Sequence, residues 1–488
     1  MQGREGQLIG RGKEQQQLRR LSQAGTRQLA LVTGRRRVGK TWLLTHTWQP
    51  DDYFLFTASR TSSAFNRQQL LNDLGRFLGQ ELHGEDYPTW RSIFNLLLDI
   101  RRDRPLAVIL DEFQYLADSD TGLAEVASEL NSAWEKPRPD TPFTLVLAGS
   151  AVGTMQGLST GGAPLYGRFN LQLKLEPFDY WHANEMAPFD ALRDRARLYG
   201  VLGGMPRYLA AIDPTESLEQ NITRLMLAPQ GEIRLLLETA LEQEDGLRDV
   251  AGYNAVLRAV ATGATLQNEI AGRAGLKNDS ALRAKLDRLT QLGYVSSHRN
   301  IGAAPNAPYR YRLNDPALRF HQRFVQPNTS ILEREPPQDV WNALRHQLPA
   351  YMGLEFEQIA RQAYGRLRRA RNLPMLQEWG NYEGQDRNSR SLEIDVVAPV
   401  LGGGMLTGAI KWTREPMNPS VHYLHVDMLR RAADAGQRWA HEALKSASPL
   451  LYVSAAGFTD DFGSSAAQSG QPITMLSLAD LYSEDASD

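Results

Sequence analysis

Hydrophobic residues in the first third of the chain form short continuous runs, separated by longer segments of mixed polarity. The runs cover residues 29–32, 106–110 and 143–148. Continuous apolar runs of this length are typical of strands that are buried on both faces of a parallel sheet. Helix-like segments flank the first run, at residues 14–21 and 42–44. The pattern therefore predicts an α/β domain built on a parallel sheet.

A different pattern begins after residue 250. Two helix-like segments, 253–257 and 266–271, precede a third helix that Asn278-Asp279-Ser280 can cap. Leucines at positions 282, 286, 289 and 292 lie on one face of this third helix. Two strand-like segments follow, with a loop rich in Gly, Pro and Asn between them. Three helices and a hairpin predict a winged helix-turn-helix, whose third helix would enter the major groove of DNA.

The C-terminal part contains a further hairpin. Residues 392–397 and 406–412 alternate as strands do, and glycines fill the segment 401–404 between them. Alternation places Glu393 and Asp395 on one face of the first strand. It places Ala409 and Lys411 on one face of the second strand.

Composition and charge restrict the function classes. The 488 residues are enough for about three domains. The formal net charge is −2, so any nucleic-acid surface must be local. The chain has no cysteine, which excludes disulfides, thiolate nucleophiles and thiolate zinc sites and fits a reducing cytoplasm. No signal-like segment occupies residues 1–7 and no apolar stretch reaches membrane-spanning length, so we expect a cytoplasmic protein with no membrane contact.

The octapeptide of residues 34–41, Gly-Arg-Arg-Arg-Val-Gly-Lys-Thr, has the spacing of a P-loop. Gly34 and Gly39 allow the backbone to curl so that its N–H groups point at a phosphate. Lys40 is expected to reach the β- and γ-phosphates, and Thr41 to offer its hydroxyl to Mg²⁺. The position of the motif, after a strand and before a helix, strengthens this prediction.

Two acidic residues end the second apolar run, at the sheet edge where open α/β sheets bind their ligands. Asp111 is expected to hold the Mg²⁺ shell, and Glu112 to orient or deprotonate the attacking water. Ser150 ends the third run and is either a sensor of the γ-phosphate or a helix cap. Arg168 is either a charge-stabilising arginine finger or an ordinary surface arginine.

The predicted winged helix carries a local positive charge. Residues 250–313 contain nine lysines and arginines against three acids. Such a patch is the footprint expected for phosphate binding, and we predict contact with duplex DNA through Arg283, Arg288 and Arg299. Docking of a protein, or service as a lid, is the alternative.

Six motifs together resemble a single family. They are Ile9-Gly10-Arg11, the octapeptide 34–41, Asp111-Glu112, Gly149-Ser150, Tyr166-Gly167-Arg168 and Gly203-Gly204-Met205-Pro206. This set is similar to the AAA-type, STAND-related ATPases first noted in archaea, which carry a winged helix and a C-terminal domain of unknown function. The resemblance covers nearly the whole chain.

The resemblance implies a fold, a nucleotide and a set of nucleotide-binding residues. The fold is an AAA-type core with a helical lid, a winged helix and a C-terminal α/β domain. In the family, the Gly-Arg pair and the Gly-Gly-x-Pro loop flank adenine, so the nucleotide is expected to be ATP, bound together with Mg²⁺. A homo-oligomer is a further possibility. The implied nucleotide-binding residues are Ile9, Gly10, Arg11, Gly34, Arg35, Arg36, Arg37, Val38, Gly39, Lys40, Thr41, Trp42, Ser150 and Pro206. The predicted boundaries are 1–175 for the ATPase core, 176–248 for the lid, 249–326 for the winged helix, 327–338 for a linker and 339–488 for the C-terminal domain.

The C-terminal hairpin resembles that of restriction-endonuclease-like nucleases with the PD-(D/E)XK motif. The resemblance implies that Asp395 and Lys411 are catalytic and that Glu357 and Asp395 bind a metal ion. The second acid of the motif is absent, since Ala409 stands in its position. Loss of one carboxylate should weaken Mg²⁺ binding severely, unless Glu393 replaces it. A charged hairpin without any site is the simpler alternative.

These features lead to one hypothesis and two competitors. The hypothesis is an ATP-dependent, DNA-associated switch with an impaired nuclease-like domain. The first competitor is an active ATP-regulated DNA nuclease in defence or DNA processing. The second is a signalling ATPase whose last two modules bind protein.

Overall fold

We analysed a computed structural model of the chain, which describes residues 9–100, 104–138, 140–150, 152–244 and 247–484. Residues 1–7, for which we predict no signal peptide, lie outside the described residues. Within the described part, no helix is long and apolar enough to cross a membrane.

The N-terminal part is built on a sheet of five parallel strands in the order β2-β3-β4-β1-β5. The strands are β1 Arg27–Gly34, β2 Tyr53–Thr57, β3 Leu106–Asp111, β4 Phe143–Gly149 and β5 Leu171–Leu175. The helices are α1 Gly12–Ser22, α2 Lys40–Thr45, α3 Ser63–Leu78, α4 Trp90–Asp99, α5 Asp120–Trp134 and α6 Val152–Gly157. The predicted α/β core is confirmed.

The central strands explain why the sequence shows continuous apolar runs. Every residue of β3 and β4 is buried, and β1 is buried after its first residue. Because the strands are parallel, their carboxyl ends at Gly34, Asp111 and Gly149 meet at one edge of the sheet. The P-loop, the acidic pair and Ser150, which are predicted to bind nucleotide, follow these strand ends and lie at this edge.

A helical segment follows the sheet. It contains α7 Tyr180–Met186, α8 Leu192–Leu202, α9 Pro206–Leu209, α10 Leu218–Ile222, a π-helical turn Thr223–Leu227 and α11 Glu232–Glu238. Its buried residues share one core with Val32 and Val146 of the sheet, so the segment packs on the sheet.

Residues 250–313 form what we call the helix–hairpin module. Its elements are α12 Val250–Ala261, α13 Gln267–Ala274, α14 Ser280–Gln291, β6 Val295–His298 and β7 Arg310–Leu313. The two strands are antiparallel. The leucines at 282, 286, 289 and 292 are buried, as the helical spacing predicts.

The predicted linker at 327–338 is corrected by the structure. This region contains a 3-10 turn, Gln326–Asn328, and α16 Thr329–Leu332, and α17 Pro337–Leu344 begins within it. Leu332 is only 1% exposed, so the segment packs against the core. Proline at the start of α17 begins a helix, where its missing N–H has no intrahelical partner to lose. Between the module and this region lie α15 Pro316–Phe320 and a π-helical turn, His321–Val325.

The C-terminal part contains a second five-stranded sheet in the order β12-β11-β10-β9-β8. Its strands are β8 Gly380–Gln385, β9 Ser391–Pro399, β10 Met405–Lys411, β11 Leu450–Ser454 and β12 Ile473–Ser477. Strand β9 pairs antiparallel with both β8 and β10, whereas β10, β11 and β12 run parallel to one another.

Helices cover both faces of this C-terminal sheet. The helices are α18 Leu348–Leu367, α19 Pro419–Asp434, α20 Arg438–Ala443, α21 Phe462–Ala467 and α22 Leu478–Leu481. Buried residues of α18 share a core with Leu451 and Val453. Buried residues of α19 and α20 share another core with Val397 and Met405. The sheet is therefore a middle layer between helices.

Candidate functional site

The octapeptide forms a tight loop between β1 and α2. Arg37 and Gly39 both have left-handed backbone conformations, with φ of 71° and 93°. The ammonium group of Lys40 folds back over the loop, where it donates to the carbonyl oxygens of Gly34 at 2.9 Å and Arg35 at 3.3 Å. Burial lowers the pKa of Lys40, although the carboxylates of Glu112 and Asp111 oppose this effect.

Thr41 and Asp111 meet at the carboxyl edge of the sheet. The Thr41 hydroxyl donates to Oδ2 of Asp111 over 2.6 Å. Two adjacent hard oxygen atoms suit Mg²⁺, which commonly takes one or two protein ligands and completes its shell with water and phosphate. Among the described residues no group of three or more potential ligands occurs. The Thr41–Asp111 pair therefore fits a phosphate-bound Mg²⁺ and not a metal cage made of protein alone.

Glu112 is held against the end of β4. Its Oε2 accepts hydrogen bonds from the Ser150 hydroxyl at 2.8 Å, the Ser150 N–H at 3.2 Å and the side-chain amide of Gln114. Burial opposes ionisation of Glu112, but the charge of Lys40 and these hydrogen bonds outweigh it and lower the pKa of the carboxyl group. The carboxylate is ionised and oriented, as a group that acts on water requires.

Two motifs implied to flank adenine lie beside the P-loop. A Cβ added to Gly39 would lie 3.8 Å from Cγ of Pro206. A Cβ at Gly204 would lie 1.7 Å from the Phe178 carbonyl oxygen, so only glycine allows this close approach. The Gly-Gly-Met-Pro loop is thus packed between the P-loop and the chain that leaves β5.

The Arg11 side chain supports the P-loop. Its guanidinium donates to the carbonyl oxygens of Val38 at 3.2 Å and Glu176 at 2.6 Å. It also lies 4.7 Å from the ring centre of Phe178. The Arg11 side chain therefore braces the P-loop, and a position of the Gly10-Arg11 pair beside adenine, which the family resemblance implies, stays a prediction.

The remaining predicted nucleotide-binding residues surround the same loop. Val38 is fully buried, whereas Ile9, Gly10 and Trp42 are half-buried. The Trp42 ring stacks on His46, with ring centres 4.4 Å apart. Three arginines fill the variable positions of the loop, and each side chain binds a different element: Arg35 binds Asp315, Arg36 binds Tyr115 and Arg37 binds Gln243.

Arg168 is not brought to this site. It precedes β5, and its guanidinium donates to Asn131 at 3.0 Å and forms an ion pair with Glu135. Both partners lie at the end of α5, on the side where β4 and β5 begin. The P-loop lies at the opposite edge, so an arginine finger for the nucleotide of the same chain is excluded by this placement. A finger that acts on a neighbouring copy stays a prediction.

The C-terminal sheet brings the predicted charged residues together. Oδ2 of Asp395 accepts from the Lys411 ammonium at 3.0 Å and from the Ile410 N–H at 2.8 Å. Burial raises the pKa of Glu357 to about 7, and the neighbouring charges of Asp395 and Glu393 add to this effect. We call Glu357, Glu393, Asp395 and Lys411 the carboxylate centre.

The carboxylate centre does not fit a metal ion in this arrangement. Ala409 is 4% exposed and belongs to an apolar cluster with Tyr452 and Phe462. One oxygen of Asp395 is already engaged by Lys411 and the backbone. No ligand group of three or more is found among the described residues. The predicted metal ligands Glu357 and Asp395 therefore lack the carboxylate that the motif has at position 409, and its replacement by Glu393 stays a prediction.

The helix–hairpin module places its predicted DNA contacts in two different surroundings. The guanidinium groups of Arg283 on α14 and Arg299 in the hairpin lie 5.5 and 3.9 Å from the ring centre of Tyr309. Arg288 faces the ATPase core, since a Cβ at Gly153 would lie 3.8 Å from its Nη1. The three arginines therefore do not form one surface.

Four residues near these sites were not singled out from the sequence. Gln114 binds Glu112, Tyr115 binds Arg36, Asp315 binds Arg35, and Arg312 lies 3.9 Å from Glu357. The sequence gives one indication for Gln114 and Tyr115, because both residues closely follow the acidic pair Asp111-Glu112. No local pattern marks Asp315 or Arg312, whose partners lie far away in the chain.

Comparison with known proteins assigns two parts of the chain. Residues 8–212 match a family described as an ATPase domain predominantly from Archaea. Residues 321–421 match a family of archaeal and bacterial proteins of unknown function. The uncharacterized protein MJECL04 of Methanocaldococcus jannaschii is 23% identical over 399 residues, which are 80% of this chain and 84% of that relative.

Two solved structures resemble the chain more distantly. A Walker-type ATPase of Pyrococcus abyssi has a TM-score of 0.49 and 20% identity, over 66% of this chain and 97% of that one. The Aeropyrum pernix ORC2 protein, solved in ADPNP–ADP complexes, has a TM-score of 0.41 and 16% identity, over 70% of this chain and 96% of that one. Scores below 0.5 do not establish a shared function.

The family match at residues 8–212 coincides with the parallel sheet, the P-loop and the acidic pair. Lys40, Thr41, Asp111 and Glu112 meet at one sheet edge with the hydrogen bonds described above. The chain is a P-loop ATPase.

Proposed function

We propose that this ATPase is a DNA-associated switch, in which turnover of ATP repositions the helix–hairpin module and a nuclease-like C-terminal domain of impaired activity. The observation that carries the proposal is the position of the module, which contacts both the P-loop and the carboxylate centre. A change at the nucleotide can therefore reach the C-terminal sheet through one element.

The contacts on both sides arise from a short stretch of chain. Arg310 and Arg312 on β7 form ion pairs with Glu383 at 2.6 Å and Glu357 at 3.9 Å. Asp315, three residues after Arg312, pairs with Arg35 of the P-loop at 3.1 Å. The stretch also borders a cavity of about 1540 Å³ that Glu357 and Asp395 help to line. This stretch is the proposed path between the two sites.

The proposed roles in ATP turnover follow from chemistry and position. Lys40 would neutralise the β- and γ-phosphates, and Thr41 and Asp111 would hold Mg²⁺ between them and the phosphate oxygens. Glu112 would orient the attacking water, and Ser150 would keep the Glu112 carboxylate in place. Adenine would lie beside Pro206, as the family resemblance implies.

The proposed DNA contact uses the surface around Tyr309. Arg283 is 45% exposed, and its partner Asp287 lies one turn away on the same helix. Such surface ion pairs are weak, so a phosphate group can replace the partner. Arg283 and Arg299 lie at the same aromatic ring, which supports a contact with one DNA backbone. Arg288 is left out of this surface, because it faces the ATPase core.

The DNA contact is tested by duplex binding at increasing salt. We expect the affinity to fall steeply with salt, and the Arg283→Ala/Arg299→Ala variant to bind more weakly with a smaller salt slope, by roughly one counterion for each lost contact. Arg258→Ala, which removes an exposed arginine of α12, is the matched control. Binding that is insensitive to salt and to the double substitution would instead favour a module that docks protein.

Impairment of the nuclease-like domain is supported by its charge pairing. Lys411 forms an ion pair with Asp395, and Arg312 lies 3.9 Å from Glu357. Ala409 has no side-chain oxygen that could bind a metal ion. A hard cation needs several free oxygen ligands, which these residues do not offer together. We therefore infer weak or absent cleavage.

An active nuclease is the second candidate, and a specific geometry favours it. Lys411 lies 3.0 Å from Asp395, the pair that the nuclease motif requires. Cleavage of duplex DNA with Mg²⁺ and with Mn²⁺, with and without ATP, separates the two candidates. Cleavage that disappears in both Asp395→Ala and Lys411→Ala would establish the active nuclease. No cleavage under any of these conditions supports the impaired domain.

A further inference from the structure

The variable positions of the P-loop carry a run of three arginines that the P-loop motif itself does not require. Arg36 donates to the Tyr115 hydroxyl at 2.6 Å, and Arg37 donates to Gln243 at 2.7 Å. Arg35 reaches further, to Asp315 beyond the end of β7. Among these three hydrogen bonds, the one from Arg35 is the one whose acceptor is a charged side chain.

The Arg35–Asp315 contact is a buried ion pair. Nη1 of Arg35 lies 3.1 Å from Oδ2 of Asp315, and the two side chains are 13% and 5% exposed. The ring of Tyr294 covers the guanidinium group, with its centre 4.2 Å away. The contact is therefore direct and largely shielded from solvent.

Both ends of this ion pair are fixed. Oδ1 of Asp315 accepts from the Leu318 N–H at 3.2 Å and caps α15, so Oδ2 has a defined direction. The Arg35 carbonyl oxygen accepts from the Lys40 ammonium at 3.3 Å. Asp315 is thus connected to Lys40 through a single residue, Arg35.

We propose that Asp315 is a positioning residue of the ATPase site, supplied by the chain segment that follows the helix–hairpin module. It holds Arg35 outward and fixes the part of the loop backbone to which Lys40 is bonded. It also neutralises a cation that would otherwise compete with Lys40 for the phosphates of a nucleoside triphosphate. The proposal rests on the ATPase activity and is independent of DNA binding or nuclease function.

Steady-state ATP hydrolysis by the full chain tests the proposal. Asp315→Asn keeps the helix cap and removes the charge, and we expect the KM for ATP to rise about tenfold or more while kcat changes little, because phosphate positioning is lost. Asp249→Asn is the matched control. Asp249 also caps a helix and pairs with a lysine, Lys285 at 2.6 Å, but its described contacts include none with the P-loop. An equal rise in both variants would overturn the proposal.

A double-mutant cycle separates positioning from general structural damage. In an Arg35→Ala background, Asp315→Asn is expected to cause no further change in KM, since its effect passes through Arg35. A full additional effect in that background would overturn the proposal.

Substitutions of Arg35 provide a test that does not depend on the folding of the Asp315 variant. Arg35→Lys keeps a cation opposite Asp315 and should retain most of the affinity, whereas Arg35→Met should lose it. Equal KM values for these two variants would overturn the proposal. Lys40→Ala tests the ATPase assignment separately. Turnover that persists in this variant would contradict the ATPase site, whereas equal KM values for the two Arg35 variants would contradict only the role of Asp315.

Discussion

At the scale of single residues, neighbouring side chains hold Glu112 at the carboxyl end of β4. Its carboxylate could turn toward solvent, but Ser150 and Gln114 direct it to the end of β4. Lys40 lies close enough to lower the pKa of Glu112 despite burial. The carboxylate is therefore ionised and held in one direction, and orientation of the attacking water is the role that we propose for it.

Replacement of Glu112 tests this role. Glu112→Gln keeps the size and the hydrogen bonds but removes the charge, so we expect ATP turnover to fall by roughly 10²–10⁴-fold while ATP binding is retained. Lys40→Ala should abolish turnover by loss of binding, because Lys40 is expected to contact the phosphates in the ground state as well. Phosphate release and ATP titration measure the two effects.

The control for this experiment is Glu125→Gln, an exposed carboxylate on α5 of the same domain. It should turn over ATP like the natural chain. If Glu112→Gln also keeps natural turnover, another group activates the water.

At the scale of elements, strands β3 and β4 were predictable and their side-chain partners were not. Burial on both faces requires continuous apolar residues, so the runs at 106–110 and 143–148 marked these strands. The sharing of one edge by parallel strands then placed Asp111 and Ser150 near the P-loop. The contacts of Arg168 with Asn131 and Glu135 could not be predicted. They depend on the edge of the sheet at which the loop before β5 lies.

Long-range contacts set a second limit on prediction from sequence. The bracing role of Arg11 requires the chain after β5 to return beside the P-loop, and the Arg35–Asp315 pair joins positions 280 residues apart. No periodicity or motif spacing reports such contacts. The predicted linker failed for a related reason, since burial of Leu332 depends on elements that are distant in sequence.

Strand β10 contains Ala409, the position at which the nuclease motif has its second acid. Ala409 is buried in an apolar cluster, so the strand lacks the acid of the nuclease motif and also lacks polar surroundings for one. Ala409→Glu should therefore destabilise the domain by ~2–4 kcal/mol, from overpacking and from burial of an unpaired carboxyl group. Thermal unfolding followed by circular dichroism, with and without Mg²⁺, measures the effect.

Ala447→Glu is the control, since Ala447 is exposed in the turn before β11. Its unfolding temperature should match that of the natural chain. Recovery of Ala409→Glu stability on addition of Mg²⁺ would contradict the expectation, because it would mean that the centre accepts a metal once the acid is restored.

At the scale of the whole molecule, the helix–hairpin module lies between two charged sites. Asp315, which directly follows the module, forms a buried ion pair with the P-loop, and Arg310 and Arg312 pair the module with the C-terminal part. Removal of one partner of a buried pair is costly. A nucleotide that shifts Arg35 is therefore expected to move Asp315 and the adjacent module, while the part-buried pairs of β7 keep the module on the C-terminal sheet.

This coupling predicts a movement that spin labels can measure. The chain has no cysteine, so pairs of introduced cysteines can be labelled without background. In a Ser128→Cys/Ala284→Cys variant, with exposed sites on α5 and α14, ATP and Mg²⁺ should shift the distance by roughly 5 Å or more. In Ala284→Cys/Leu401→Cys the distance should stay constant, because the β7 ion pairs hold the module on the C-terminal sheet. The first shift should vanish in Lys40→Ala, and unchanged distances in a chain that hydrolyses ATP would show that turnover is not transmitted to the module.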